Sequence, residues 1–398
     1  MSAHTHSPRI LKSSVAVCGT GIAGLACALA MARRGQSVTL LGPRPQIAPA
    51  DTEIFHPRVY AISPVSQKFL SSIGVWDMLP PARLTPIDSM EIFGDGDGRL
   101  NLRAWQNAMP ELAWIVEAGE IERVLIQAVQ FVGLRWVTEK FVDYRPGVLT
   151  TESGAVIEAD LIVAADGAQS PLRAAAGVPV DITPYGVTGL VAHFNCEKPH
   201  HGKAVQWFRE DGVLALLPLP DTRAGHQVSM VWSMKEQQAN ELLAQDSSQQ
   251  ARTLTAMLAQ ATAGQLGMLT QCAALHGFPL TLNQSPMIDD RLALVGDAAH
   301  RLHPLAGQGL NLGLGDVQSL VDVVAGREPF RAAGDPMVLR RYRRARAEPV
   351  MAMRLVTDGL HRLFNAQTAP VVWLRNIGMN LVEKLPFIKR QIIGGASR

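Results

Sequence analysis

Apolar residues fall along this chain in three kinds of run, and each predicts a different element. Short runs bounded by glycine come first. Ser14-Val-Ala-Val-Cys18 predicts a strand, and Gly21 to Arg34 an Ala/Leu-rich helix that opens on glycines and stops at Gly35. Gln36 to Leu41 predicts a second strand, which completes a βαβ unit. Two continuous apolar runs, Ala159 to Ala165 and Arg291 to Val295, predict buried strands. The first ends in Asp166-Gly167. The second passes through Gly296-Asp297 and a Gly/Pro-rich loop into a helix at about Gln308. The third kind of run alternates: Val187 to Phe194, Val213 to Leu217 and Gln227 to Trp232 predict strands of an antiparallel sheet. Glu236 to Ala263 predicts a polar-faced helix pair, and residues from about 335 onward predict helix. No internal repeat or low-complexity tract interrupts this order.

Composition then narrows the class. A chain of 398 residues can bury one large or two moderate cores, and 47% hydrophobic with 18% charged residues is a globular profile. A formal net charge of +2 offers nothing to draw nucleic acid. Cys18, Cys27, Cys196 and Cys272 lack CxxC spacing, so no disulfide framework or zinc site is implied and a reducing cytoplasm is expected. Met1 to Lys12 has no apolar signal core. The longest apolar stretch, Ile22 to Ala32, falls short of the ~20 residues that span a bilayer, so an integral membrane protein is not expected. His300 and His303 stand three apart, but Pro304 breaks the helical register and no third ligand is near, so no metal is expected.

The glycines carry the candidate chemistry. In a βαβ frame, Gly19 permits the tight turn, Gly21 lets a pyrophosphate approach the backbone, and Gly24 lets helix and strand pack closely. The acid that would hold an adenosine ribose at the end of the second strand is missing. Gly42 stands there, followed by Pro43 and Arg44. Losing that contact predicts a cost of ~1.5–3 kcal/mol in dinucleotide binding. Far along the chain, Gly296-Asp297-Ala298-Ala299-His300 and Gly307-Gln308-Gly309-Leu310-Asn311 form an acid at a strand's end, a small-residue turn and a helix start. Free helix N–H groups there favour an anion.

These two segments, with Asp166-Gly167 and Arg58-Val-Tyr-Ala61-Ile62-Ser63, resemble the single-component FAD aromatic hydroxylases. Ala61-Ile-Ser, Leu70 to Asp77, Gln206-Trp-Phe, Leu217-Pro218-Leu219 and Leu339 to Arg346 resemble the branch that hydroxylates polyprenyl phenols in bacterial ubiquinone biosynthesis. The resemblance implies an α/β fold: a Rossmann-like FAD-binding domain of the p-hydroxybenzoate hydroxylase type, an antiparallel β-sheet substrate domain and C-terminal helices. It implies a discontinuous FAD domain of residues 1–75, 100–180 and 285–330, a substrate domain of 76–99 and 181–284, and a helical region of 331–398. FAD would be held by Gly19, Gly21, Ile22, Ala23, Gly24, Arg44, Arg58, Asp166, Asp297, Gly307, Gln308, Gly309, Leu310 and Asn311. Pro304, Gln308 and Arg58 would serve catalysis, with Pro304 and Leu305 on the substrate side of the flavin. NAD(P)H and O2 would be co-substrates, and a flavin C4a-hydroperoxide would be attacked by an ionised phenol. His193, His200 or His201, in or beside the substrate sheet so implied, would assist the deprotonation.

Three functional readings stay open: the polyprenyl-phenol hydroxylase, a hydroxylase of a soluble aromatic, and a non-catalytic subunit of a ubiquinone-biosynthesis assembly that Gly42 alone would support. Pro370 to Ile393, apolar with interleaved Arg375, Lys384, Lys389 and Arg390, has two readings as well. It lies in the interface of the inner membrane as a peripheral anchor, or it packs on the protein or on a second copy in a homodimer.

Overall fold

The N-terminal βαβ unit is formed by the strand Ile10–Cys18, the helix Ile22–Arg33 and the strand Val38–Leu41 in a computed structural model. That model describes residues 9–46, 53–301 and 308–365, with positions 383 and 389. The first strand starts earlier than its apolar run. Backbone pairing with Val156–Ala164 runs from Ile10↔Val156 to Cys18↔Ala164 and carries polar Lys12 and Ser13 with it. Parallel neighbours extend this sheet in the order Leu292–Leu294, Val156–Ala164, Ile10–Cys18, Val38–Leu41 and Arg135–Val137. Because these strands all point one way, their carboxyl ends line a single edge, which is where open α/β sheets bind ligands. Gly19, Gly42, Asp166 and the Gly296-Asp297 turn all lie along it.

Helices cover this sheet. Ile22–Arg33 packs against both Ala118–Val132 and Gly309–Ala325, over a core that includes Leu25, Leu29, Leu40, Val163, Val317 and Leu320. The long helix Pro336–Asn365 docks beside them through buried Tyr342, whose hydroxyl donates to the Leu294 carbonyl at 2.8 Å.

A second, larger sheet follows the order His300–Arg301, His276–Gln284, Asp181–Cys196, Gly225–Lys235, Gly212–Thr222, Lys203–Arg209, Ser89–Phe93 and Arg99–Arg103. The three alternating runs are in it and pair antiparallel, as in Leu190↔Trp232 and Leu216↔Met230. One join departs from that rule. Lys203–Arg209 runs parallel to Ser89–Phe93, because those strands come from segments more than a hundred residues apart rather than from a hairpin. One face of the sheet buries Leu190, Phe194, Leu214, Met230 and Trp232 against the helices Glu236–Leu243 and Ser247–Thr262. The other face, with Ala204 and Leu219, meets a small third sheet of Val59–Ile62, Ala113–Glu117 and Leu84–Ile87.

Among the described residues no helix is long and apolar enough to cross a membrane. Most of Pro370 to Ile393 lies outside the described residues. At the two positions that are described, Glu383 accepts a hydrogen bond from the Asn101 N–H at 2.7 Å, and buried Lys389 pairs with Glu383 at 2.8 Å. Those two contacts seat this part of the tail on the outer strand of the large sheet.

Candidate functional site

The site grows from the carboxyl edge of the parallel sheet. At its nucleotide end the first turn is built so tightly that side chains are excluded. A Cβ on Gly19 would stand 2.3 Å from the Ala165 carbonyl oxygen, and one on Gly24 would stand 2.0 Å from that of Gly19. Gly21 is different. Nothing lies within 4 Å of where its Cβ would be, and it begins the helix Ile22–Arg33 with no side-chain cap and no acid in the first turn. Open space in front of uncapped helix N–H groups suits a pyrophosphate.

At the end of the second strand the backbone itself is shaped for glycine rather than for an acid. Gly42 has φ +142°, and a Cβ there would come 3.0 Å from Thr20 Cγ2. The Thr20 hydroxyl is already engaged, donating to the Pro43 carbonyl at 2.7 Å. Trp136 fills the flank: its Nε1–H donates to the Gly42 carbonyl at 2.9 Å, and the Arg44 guanidinium sits 5.0 Å from its ring centroid. Sequence reasoning named Arg44 but missed Trp136. The register Leu40↔Trp136 brings it across from a strand nearly a hundred residues away, and no local pattern announces that.

The other end of this edge gathers residues from four segments. Asp297 is half-exposed and makes no hydrogen bond among the described residues. Its charge, like that of Arg58, acts on Tyr60. Burial pushes the Tyr60 hydroxyl up, Arg58 pulls it down and Asp297 raises it again. Arg58 itself lies between two rings, 5.5 Å from that of Tyr60 and 5.8 Å from that of Phe278. Asp166 turns inward. It accepts from the Ser170 hydroxyl and from the Leu172 N–H at 3.0 Å, and burial raises its carboxyl despite those bonds. Arg173, given no role from sequence, joins the two acidic turns by donating to the Ala298 carbonyl at 2.8 Å and the Ala168 carbonyl at 2.9 Å.

Gln308 stands at the cap of Gly309–Ala325, which has no side-chain cap. Gly309 and Leu310 follow in its first turn. Asn311 is a clamp: it accepts the Ser63 N–H at 3.0 Å and donates to the Ala61 carbonyl at 2.8 Å and to Gln308 Oε1 at 3.0 Å. One side chain thus ties the Arg58 strand to the helix start. Pro304, Leu305, Gly307 and His303 lie outside the described residues.

Beneath the Gly296-Asp297 turn is a buried ion network. Asp316, fully buried, accepts the Gly296 N–H at 3.0 Å and Arg346 Nε at 2.7 Å. His300 Nε2 lies 2.7 Å from the same carboxylate, off the line of a good hydrogen bond. Burial alone would raise the carboxyl of Asp316. His300 and Arg346 overcome it and hold the group below the usual carboxylate range. His300 thus faces a carboxylate on its Nε2 side.

Between the small sheet and the large one is an enclosed cavity of about 90 Å³. Ile87, Met90, Leu102, Leu112, Ala204 and Leu217 give it apolar walls, and Ala61, Ser63 and Gln308 bring it to the start of the helix Gly309–Ala325. The histidines proposed as bases do not line it. Buried His193 donates from Nε2 to the His56 carbonyl at 3.0 Å, and burial lowers its pKa below the usual imidazole value. His200 pins its own turn, with Nε2 against the Leu219 carbonyl at 2.9 Å and Nδ1 accepting the Gly202 N–H at 3.2 Å. His201 is exposed on that turn. A larger, open groove of about 1040 Å³ is lined by Phe93, Trp207, Lys235 and Glu241 among others. No residue of it comes from the parallel strand ends, so it is not part of this site.

Comparison with known proteins agrees with this geometry. A family model described as FAD binding domain matches residues 12–356. The chain is 32% identical to the 3-demethoxyubiquinol 3-hydroxylase of Escherichia coli (strain K12), over 96% of this chain and 97% of that protein. It is 31% identical to the ubiquinone hydroxylase UbiL of Rhodospirillum rubrum, over 95% of this chain and 88% of that protein. In three dimensions it resembles the p-nitrophenol 4-monooxygenase PnpA of Pseudomonas putida, with a TM-score of 0.75 at 16% identity, covering 98% of this chain and 99% of that one.

Proposed function

The chain belongs to the FAD-binding-domain family and its cofactor is FAD; on that premise we propose that it hydroxylates the ring of a polyprenyl phenol in ubiquinone biosynthesis. The observation that carries the reading is the enclosed apolar cavity opening at Gln308, where the family's flavin ring would lie. Bound FAD, reduced by NAD(P)H, would supply activated oxygen from O2. The residues do the rest. Gly21 and the N–H groups of Ile22, Ala23 and Gly24 take the pyrophosphate, and Asp297 takes the ribityl hydroxyls. The uncapped start of Gly309–Ala325 favours negative charge on the flavin ring. Ile87, Met90, Leu102 and Leu112 keep water from the reacting ring.

A cavity of about 90 Å³ is on the scale of a single ring, so an isoprenoid tail must leave it. Such a substrate lies in lipid, and the protein would work as a peripheral partner of that surface. The same volume also suits a soluble aromatic, which is the second reading.

The test is a flavin absorbance spectrum of the purified protein before and after FAD loading, followed by NAD(P)H with and without a prenylated phenol. Retained flavin that bleaches faster with the phenol supports the reading. Turnover of short-chain phenols with no dependence on lipid moves it to the soluble substrate. No retained flavin after loading overturns it and leaves a non-catalytic role.

A further inference from the structure

Among the described residues, three polar side chains line the cavity: Ser63, Gln206 and Gln308. Two already hold partners: the Ser63 hydroxyl pairs with Ser66, and Gln308 accepts from Asn311 at Oε1, one of its two amide atoms. Gln206 is 7% exposed, and its carboxamide has no hydrogen bond among the described residues. Both amide atoms are thus left to whatever fills the cavity that Gln206 lines, and a mostly buried amide gains most from a hydrogen-bonding occupant there.

Its position is firmly held. Gln206 pairs with Ala215 on one side and Ile92 on the other, so the strand cannot rotate the side chain out to water. Trp207, on the opposite face, is stacked against Phe93 with ring centroids 5.8 Å apart and locks the register from behind. Shifting the strand by one residue would put Trp207 into the cavity and Gln206 into the apolar core.

We propose that Gln206 is the residue that recognises the substrate: its Nε2–H donates to the ring oxygen of a phenol and so decides which ring carbon faces the flavin end at Gln308. This rests on the hydroxylase reading above. A cavity with apolar walls holds a ring equally well in several rotations about its own plane. One fixed hydrogen-bonding group removes that freedom, and it penalises a ring with no oxygen because the amide would stay unpaired.

The experiment uses FAD-loaded protein titrated with 2-allylphenol and with allylbenzene, the same molecule without the hydroxyl, read by perturbation of the flavin absorbance. The natural protein should prefer the phenol by about tenfold or more. Gln206→Leu should weaken the phenol about ten- to a hundredfold and leave allylbenzene and FAD retention unchanged. Gln206→Met keeps the length but removes both donor and acceptor, and it should lose the preference too, which preserves the test if the Leu variant folds poorly. A variant that keeps the preference overturns the assignment of Gln206 while leaving the hydroxylase reading intact. A natural protein that holds FAD but binds neither ring overturns that reading and this assignment together.

Discussion

The glycine-lined cleft at the strand ends and the apolar cavity beside it are built by opposite means. The cleft is mostly backbone: strand ends, helix N–H groups, and glycines so closely packed that a Cβ on Gly24 would fall 2.0 Å from a carbonyl oxygen. The cavity is mostly side chains, contributed by strands of two sheets and a helix cap. Backbone sites tolerate almost no change at a few positions. Side-chain sites tolerate change at many, and express it as altered preference rather than as lost binding.

The largest expected effects separate two glycines of the cleft. Gly24→Val should fail to yield folded protein, because its Cβ meets backbone that cannot move. Gly21→Val should fold with an unchanged melting temperature, since it faces open space, yet lose FAD by about a hundredfold or more, measured by equilibrium dialysis. If Gly21→Val kept its FAD, the pyrophosphate would have to lie elsewhere.

Next comes the network below the cleft. Arg346→Met leaves the buried Asp316 carboxylate with fewer partners and should cost about 3–5 kcal/mol in urea unfolding. The pH dependence follows from the depressed folded value of Asp316. A carboxyl held lower in the folded than in the unfolded state stabilises at pH above the unfolded value, near 3.8. That contribution is lost as pH falls below it, through the folded value. Acid unfolding of Asp316→Asn should therefore be less steep in that range than that of the natural protein.

Smaller effects belong to the cavity. Ala215→Leu should fill space beside Gln206 and weaken binding of 2-allylphenol about tenfold or more, with FAD retention unchanged. A matched loss of FAD would show that the two regions are not separable. The smallest effect is expected at Gly42→Glu. A new carboxylate would favour the ribose by ~1.5–3 kcal/mol, but a non-glycine residue at positive φ gives back ~1–2 kcal/mol. FAD affinity should move by less than about tenfold. A much larger gain would show that the strand end relaxes freely around Thr20.

This contrast also explains what could be read early. Gly19, Gly21, Gly24, Asp166 and Asp297 stand out because turns at strand ends are set by local backbone geometry, which leaves a local signature. Asn311 was visible as a member of a helix start, but its action as a clamp on Ala61 and Ser63 was not. Trp136, Arg173 and Asp316 left no signal at all, since each works through a partner distant in the chain. The short Val59–Ile62 sheet was likewise hidden, because four-residue strands carry too little alternation.

The sequence by itself determined the βαβ frame, the two glycine segments and the alternating strands of the large sheet. Each of these follows from periodicity and steric rules that act over a few residues. Tertiary structure alone decided that Asp316 would bind His300, Arg346 and Gly296 together, and that Gln206 would face a cavity while Trp207 faced a core. Those outcomes depend on which strands become neighbours and in what register, and a one-residue slip would reverse them.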